Sequence, residues 1–349
     1  MQSKSSMTSM QRVLTTLSHR EPDRVPYFLF LTMYGAKVLG ISIEDYFSKV
    51  DNVVEGQLEM RRRYRHDSLL AFGYASAELE AWGGETIFYP DGPPNAAAPI
   101  LANVEAIDQL VLPDISKAQS LQRTLQVIEK LKLHVADEVP IIGVVLSPFS
   151  MPILQLGFER YLQLLHFDKP RFNRLMWLNE KFCGQWANAQ LAAGATAIGY
   201  FDPLASPTMI PRETYLASGY QTFKRMLGEI NGAIAVHMAS GKTLSLLPDL
   251  VNSGAALMGF SAEENIPDIK AACRNKVTLL GNFNGIAMRH WDEQETKRQV
   301  KLIIDGAGQG GGLIVADNHG EIPWQTPEQV LYWIGEAIEQ FGSYPLKVN

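Results

Sequence analysis

Two histidines keep polar company. His237 closes the apolar run AIAVHM and is followed by Ala239, Ser240, Gly241 and Lys242, while His319 sits in VADNHG directly after Asp317 and Asn318. Imidazoles exchange protons near neutral pH and ligate divalent metals, and carboxylates complete either chemistry. Carboxylates and amides recur at comparable places: Asp202 in YFDP, Glu263 and Glu264 in SAEEN, Asn282 and Asn284 in GNFN. Each has a plainer competing role. Asp202 could cap the following helix, His237 could be a hydrogen-bonded core residue, and the two glutamates could be solvated loop charges. His19, His66, His134, His166 and His290 lie in helical or charged surface contexts and read as ordinary. GAGQGGG from Gly306 lacks a Lys-Ser/Thr ending and precedes a strand, so it reads as a helix stop, not a phosphate loop. Lys242, in GKT, lacks the upstream glycine spacing of such a loop but could contact an anion.

The elements that must carry these residues form a repeated pattern. Eight short apolar runs alternate with longer helical stretches: VPYFLF from Val25, SLLAFG from Ser68, PIIGVVL from Pro140, TAIGYFD from Thr196, AIAVHM from Ala233, ALMGFS from Ala256, VTLLGNF from Val277 and GGLIVAD from Gly311. Near-continuous apolar runs suit strands buried on both faces of a parallel sheet. Eight of them predict an α/β fold, a (β/α)8 barrel spanning 1–349 as one domain. An open doubly wound sheet is the rival, but no G-x-G-x-x-G follows the first strand. The segment after Arg160 predicts two helices broken near Pro170, and TPEQVLYWIGEAIEQFG predicts a helix with Thr326 as cap and Pro327 at its first position. Residues 1–20 predict an N-terminal helix outside the barrel, and about 75–133, rich in Gly and Pro, an irregular lid or extra hairpin after strand two. In such barrels the strands' C-terminal ends form the active site, and the polar residues named above cluster there.

Composition narrows the function classes. Lys and Arg total 31 against 37 Asp and Glu, a net charge of −6, which disfavours a nucleic-acid or polybasic membrane surface. The N-terminus lacks a signal-peptide core and no run of about 18 apolar residues occurs, so a cytoplasmic enzyme is expected. Cys183 and Cys273 are the only cysteines, too few for a disulfide scaffold or an all-cysteine metal site.

The landmarks resemble one superfamily in order. RVLTTLSHREPDRVP, AGATAIGYFDPLASP, AVHMASG with LLPDLVNSGA, then SAEENIPDIKAAC, LLGNFNG and VADNHGEIPWQTPEQV are similar to successive segments of the uroporphyrinogen decarboxylase superfamily, most of all its corrinoid-dependent methyltransferase branch. The resemblance covers nearly the whole chain. It departs from both well-known branches. Decarboxylases carry an Arg-Gln-Ala-Gly-Arg stretch after the first strand, where this chain reads FLTMYGAKVLG, and an aspartate where Tyr74 stands. The thiol-methylating branch binds zinc through His-x-Cys and a later Cys; His237 matches the histidine, but Ala239 replaces the first cysteine and the second falls near His319.

What the resemblance then implies is a methyltransferase moving a methyl group between a small methylated substrate, such as an aryl methyl ether, and a corrinoid (a cobalamin) carried by a partner protein. His237, His319 and a carboxylate, Glu263 first and Asp317 next, would hold zinc or else polarise the leaving oxygen. Asp202 would orient substrate, and Asn282, Asn284, Lys242 and Ser240 would contact substrate or corrinoid. A tetrapyrrole decarboxylase with a basic mouth built from Lys37 or Lys242 is the alternative, and a non-catalytic corrinoid- or tetrapyrrole-binding barrel the third. No nucleic-acid or membrane partner is expected, and a homodimer stays open.

Overall fold

The computed structural model describes residues 7–71, 73–273 and 275–347. Seven parallel strands form one sheet in the order β1 (Leu69–Leu70), β4 (Ile141–Leu146), β5 (Ala197–Phe201), β6 (Ala233–His237), β7 (Leu257–Gly259), β8 (Thr278–Leu280) and β9 (Leu313–Ile314). β2 (Thr86–Ile87) and β3 (Asn95–Ala96) make a separate antiparallel hairpin in the expected insertion, with YPDGPPN at its turn. The first predicted strand closes the ring without being a regular strand itself. The Phe28 amide donates to the Val315 carbonyl (2.8 Å), Val315 donates to Pro26 (2.9 Å), and on the other side Asp67 donates to Tyr27 (2.8 Å). The extended segment 26–28 thus bridges the two sheet edges, and the fold is the expected (β/α)8 barrel.

Helices form where caps and periodicity dictate. The stretch after Arg160 yields Phe158–Phe167 and Lys169–Ala193, parted at Asp168, whose side chain caps the Arg171 amide. The second of these stops at Gly194, in the left-handed region at φ 116°. GAGQGGG is a helix stop, with Gly310, Gly311 and Gly312 all at φ near 70–76° leading into β9. The last helix, Glu328–Phe341, differs from expectation at its start. Pro327 is the residue before it, no side chain caps it, and the Thr326 hydroxyl is buried without a partner.

The outer face of the sheet packs on the helices through Ile198, Tyr200, Ile234 and Val236, all in the main core. A smaller cluster fills part of the lumen: Phe28, Phe30, Leu70, Leu257, Leu280, Ile314 and Ala316, together with Val13. Val13 belongs to α1 (Ser9–Leu17), so this helix floors the barrel instead of lying apart from it. A buried ion cluster clasps it there. Asp67, fully buried, accepts from Arg12 Nη1 (2.7 Å), Arg24 Nη1 (2.7 Å), Ser9 Oγ (2.8 Å) and the Tyr27 amide (3.1 Å). Arg12 also grips Asp23 at 2.7 Å. Arg12, Asp23 and Arg24 of RVLTTLSHREPDRVP therefore serve the barrel floor.

Candidate active site

His237 ends β6 on the lumen side. Its ring stacks on Phe201 (centroids 5.8 Å, 26°) and meets the edge of Phe30 (5.7 Å, 89°). The imidazole is only 7% exposed, and burial pushes its pKa down to about 4, so it is neutral at pH 7. Its Nδ1 accepts from the Ala239 amide (3.1 Å), which places the ring proton on Nε2, an atom without a partner. Ala239 takes φ 49° to deliver that amide. Gly259 on neighbouring β7 leaves the space the ring occupies: a Cβ there would lie 2.8 Å from His237 Cδ2.

Asp317 arrives from the extension of β9, paired to Phe283 in a parallel bridge. Its Oδ1 accepts from the His319 and Gly320 amides (2.9 Å each), while Oδ2 is buried and unpartnered. Burial outweighs those two amides and raises the carboxyl to about 7. His319 is half-buried, with its pKa lowered by that burial. With the Asn318 amide turned so that both of its ends are satisfied, Asn318 donates to His319 Nδ1 (2.7 Å). Beside them Glu321 accepts from the Thr32 hydroxyl and the Met33 amide; burial, reinforced by the Asp317 charge, lifts it to about 7. The sequence reading passed over Glu321. Its signal was a carboxylate followed at once by Ile322, Pro323 and Trp324, in a segment returning to the barrel.

Other residues go elsewhere. Asp202 is buried, but its Oδ1 accepts from Ser147 and Ser150 (2.6 Å each), and only its backbone amide reaches His237, at the carbonyl (2.8 Å). Burial raises it to about 6, and its charge bears on Tyr161, Tyr200 and Tyr215 of the helix-facing core. Glu263 is exposed and pairs with Lys242 at 3.3 Å. Glu264 is structural, accepting from the Thr243 and Leu244 amides (2.8 and 2.6 Å) and the Ser261 amide (3.1 Å). Ser240 is exposed in the turn. Asn282 and Asn284 line an open groove of about 650 Å³ with Glu263, Asn265 and Trp291. His66, read as an ordinary surface-type residue, is instead buried with both ring nitrogens unpartnered and its pKa down to about 3.

The zinc set His237, His319, Glu263 and Asp317 is not brought together. Among the described residues no three His, Cys, Asp or Glu side chains stand close enough to hold a metal, because the chain directs Glu263 outward to Lys242. Zinc therefore does not fit these side chains as they are placed. Nor can either cysteine complete a ligand set at the mouth: Cys183 and Cys273 are buried, in helices.

A parallel (β/α)8 barrel with a neutral histidine and a carboxyl that titrates near 7 at its strand ends has the layout of the barrel enzymes, whose active sites lie at that face. The sequence model of the uroporphyrinogen decarboxylase (URO-D) family matches residues 8–341, and the chain belongs to that family. A uroporphyrinogen decarboxylase of Chromohalobacter salexigens is 22% identical over 347 residues, covering 95% of this chain and 97% of that one. The methylcobamide:CoM methyltransferase MtaA of Methanosarcina barkeri is 22% identical over 233 residues, 66% of this chain and 67% of the other. Among solved structures, a methyltransferase from Methanosarcina mazei superposes with a TM-score of 0.84 at 18% identity, covering 96% of this chain and 99% of its own. Among the described residues no helix is long and apolar enough to cross a membrane.

Proposed function

We propose that the protein transfers a methyl group between a small methylated substrate, with an aryl methyl ether the best match, and a corrinoid held by a partner protein. The observation that carries this reading is His237: a neutral, buried imidazole walled by Phe30 and Phe201, with a free Nε2–H. Such a group hydrogen-bonds an ether or phenolic oxygen and favours an aromatic substrate over a charged one. Asp317, with a free Oδ2 and a carboxyl near 7, is the residue suited to passing a proton at neutral pH. Asp202 in its serine pocket would support the fourth strand's loop, and the groove at Asn282 and Asn284 is the candidate contact for the corrinoid protein. When bound, the corrinoid supplies the nucleophilic cobalt that takes the methyl carbon.

The decarboxylase alternative has less support from the same mouth. An octa-acid substrate calls for cations, yet Lys242 is paired with Glu263 (3.3 Å) and Lys37 Nζ donates to the Trp324 and Thr326 carbonyls (2.9 and 3.2 Å). The test is transfer from methoxyarenes to cob(I)alamin, free and on a corrinoid protein, followed by the cobalamin spectrum. Transfer should occur and fall by about 100-fold or more in His237→Ala. If no methyl donor serves, and uroporphyrinogen yields coproporphyrinogen, the second reading replaces the first.

A further inference from the structure

The lumen is not full. In (β/α)8 barrels, layers of bulky branched side chains fill the interior. Here β5 and β6 set Ala197 opposite Ala233 and Gly199 opposite Ala235, four small residues at adjoining lumen positions. Exposure follows. On β4, β5 and β6 the helix-facing Ile141, Ile198, Tyr200, Ile234 and Val236 are buried, whereas the lumen-facing Ile142, Val144, Ala197, Gly199 and Ala235 are only partly so. The result is a cavity of about 150 Å³ rising from Val13 and Leu17 of α1, past these small residues, to His237 and Gly320. Among the described residues His237 is its one ionisable lining residue, nine-tenths buried and with Nε2 unpartnered.

We infer that this lumen cavity is a binding site for a neutral, benzene-sized apolar molecule or substrate group, seated below His237. Hydrocarbon-lined space of about this volume stays dry and takes benzene or xenon in other proteins. A charged or strongly polar ligand would lose its hydration with only one imidazole to replace it. The site does not depend on the reaction proposed above, since it follows from side-chain size along two strands.

Benzene titrated into the full chain, with methyl groups of Val, Leu and Ile carrying ¹³C, gives the test. Saturable shifts are expected at Val13, Val144, Leu257 and Leu280. Ala235→Leu, which puts a side chain into the cavity, should weaken binding at least about tenfold, a loss of about 1.4 kcal/mol. Gly199→Ala is the milder companion, because a Cβ there meets Val144 Cγ2 at an ordinary 3.4 Å, and it should weaken binding less. No saturable shift in the wild type, shifts confined to surface methyls, or binding unchanged by both substitutions would overturn the inference. Because binding is read without turnover, an enzyme that transfers methyl groups but takes no benzene refutes the site alone, and the converse refutes only the reaction.

Discussion

At the residue scale the site is governed by what burial does to protons. His237 stays neutral because a charged ring would lose its hydration against two aromatic rings. Its pKa falls from 6.5 to about 4 in the folded protein, so the unfolded chain takes up the proton first as pH drops. That contribution to stability is whole above about 6.5 and is lost between there and 4. Asp317 works the other way. Its pKa rises from 3.8 to about 7, so its contribution is present at low pH and is lost as pH climbs through 7. From about pH 4 to 6.5 the two slopes, each no more than about 1.4 kcal/mol per pH unit, oppose one another, and from about 6.5 to 7 only the Asp317 loss remains, so urea midpoints should change little through these two groups below 6.5 and fall between 6.5 and 7. Asp317→Asn should leave the His237 slope unopposed, so that midpoints rise from about pH 4 to 6.5; a profile unchanged by the substitution would assign the titration to other groups. His237 and Asp317 stood out in the sequence because polar residues at strand ends lie where such barrels keep their active sites. That Glu263 pairs outward with Lys242 could not be read from sequence neighbours, because the contact forms only in the folded chain. Glu321 was missed because its partners, Thr32 and Met33, lie nearly the whole chain away.

At the element scale, glycine and the terminal helix do work that composition conceals. Gly259 is the last residue of β7, and a glycine in a strand weakens pairing unless something approaches closely; here that something is the His237 ring. Gly259→Ala should cost about 1–3 kcal/mol by overpacking and, by displacing the imidazole, cut methyl transfer about 100-fold, as thermal melts and kinetics would show. A variant of full activity would mean that the ring can shift freely. For α1, the clasp on Asp67 predicts more than the helix's modest length suggests. Removing one partner of a buried ion cluster costs about 3–5 kcal/mol, so Arg12→Ala should lower the urea midpoint strongly. It should also raise dye binding to the exposed lumen, whereas the exposed Arg62→Ala should change little. An N-terminal helix within residues 1–20 could be read from the sequence. Its seat at the barrel floor could not, because the counter-ion Asp67 is more than 50 residues distant.

Over the whole molecule, one short seam makes the sheet a barrel. Segment 26–28 contributes no regular strand, yet Phe28 and Pro26 both bond Val315. Val315→Pro removes the amide that donates to Pro26 and should cost about 3 kcal/mol or more. Loss of amide-exchange protection should spread along β9 and the 26–28 segment, while an unaffected exchange pattern would show that the ring closes without this bond. The sequence by itself determined the eight apolar runs, their order, a helix break near Pro170, the helix stop at GAGQGGG, and the absence of a thiolate pair at the strand ends, since all of these rest on local periodicity and residue type. Only the tertiary structure decided the rest: which carboxylate joins the histidines' neighbourhood, that Asp202 turns toward the helices, and that four small residues on two strands leave the lumen open. Those outcomes depend on side chains far apart in sequence competing for one volume and for the same few donors, and no local pattern encodes the result.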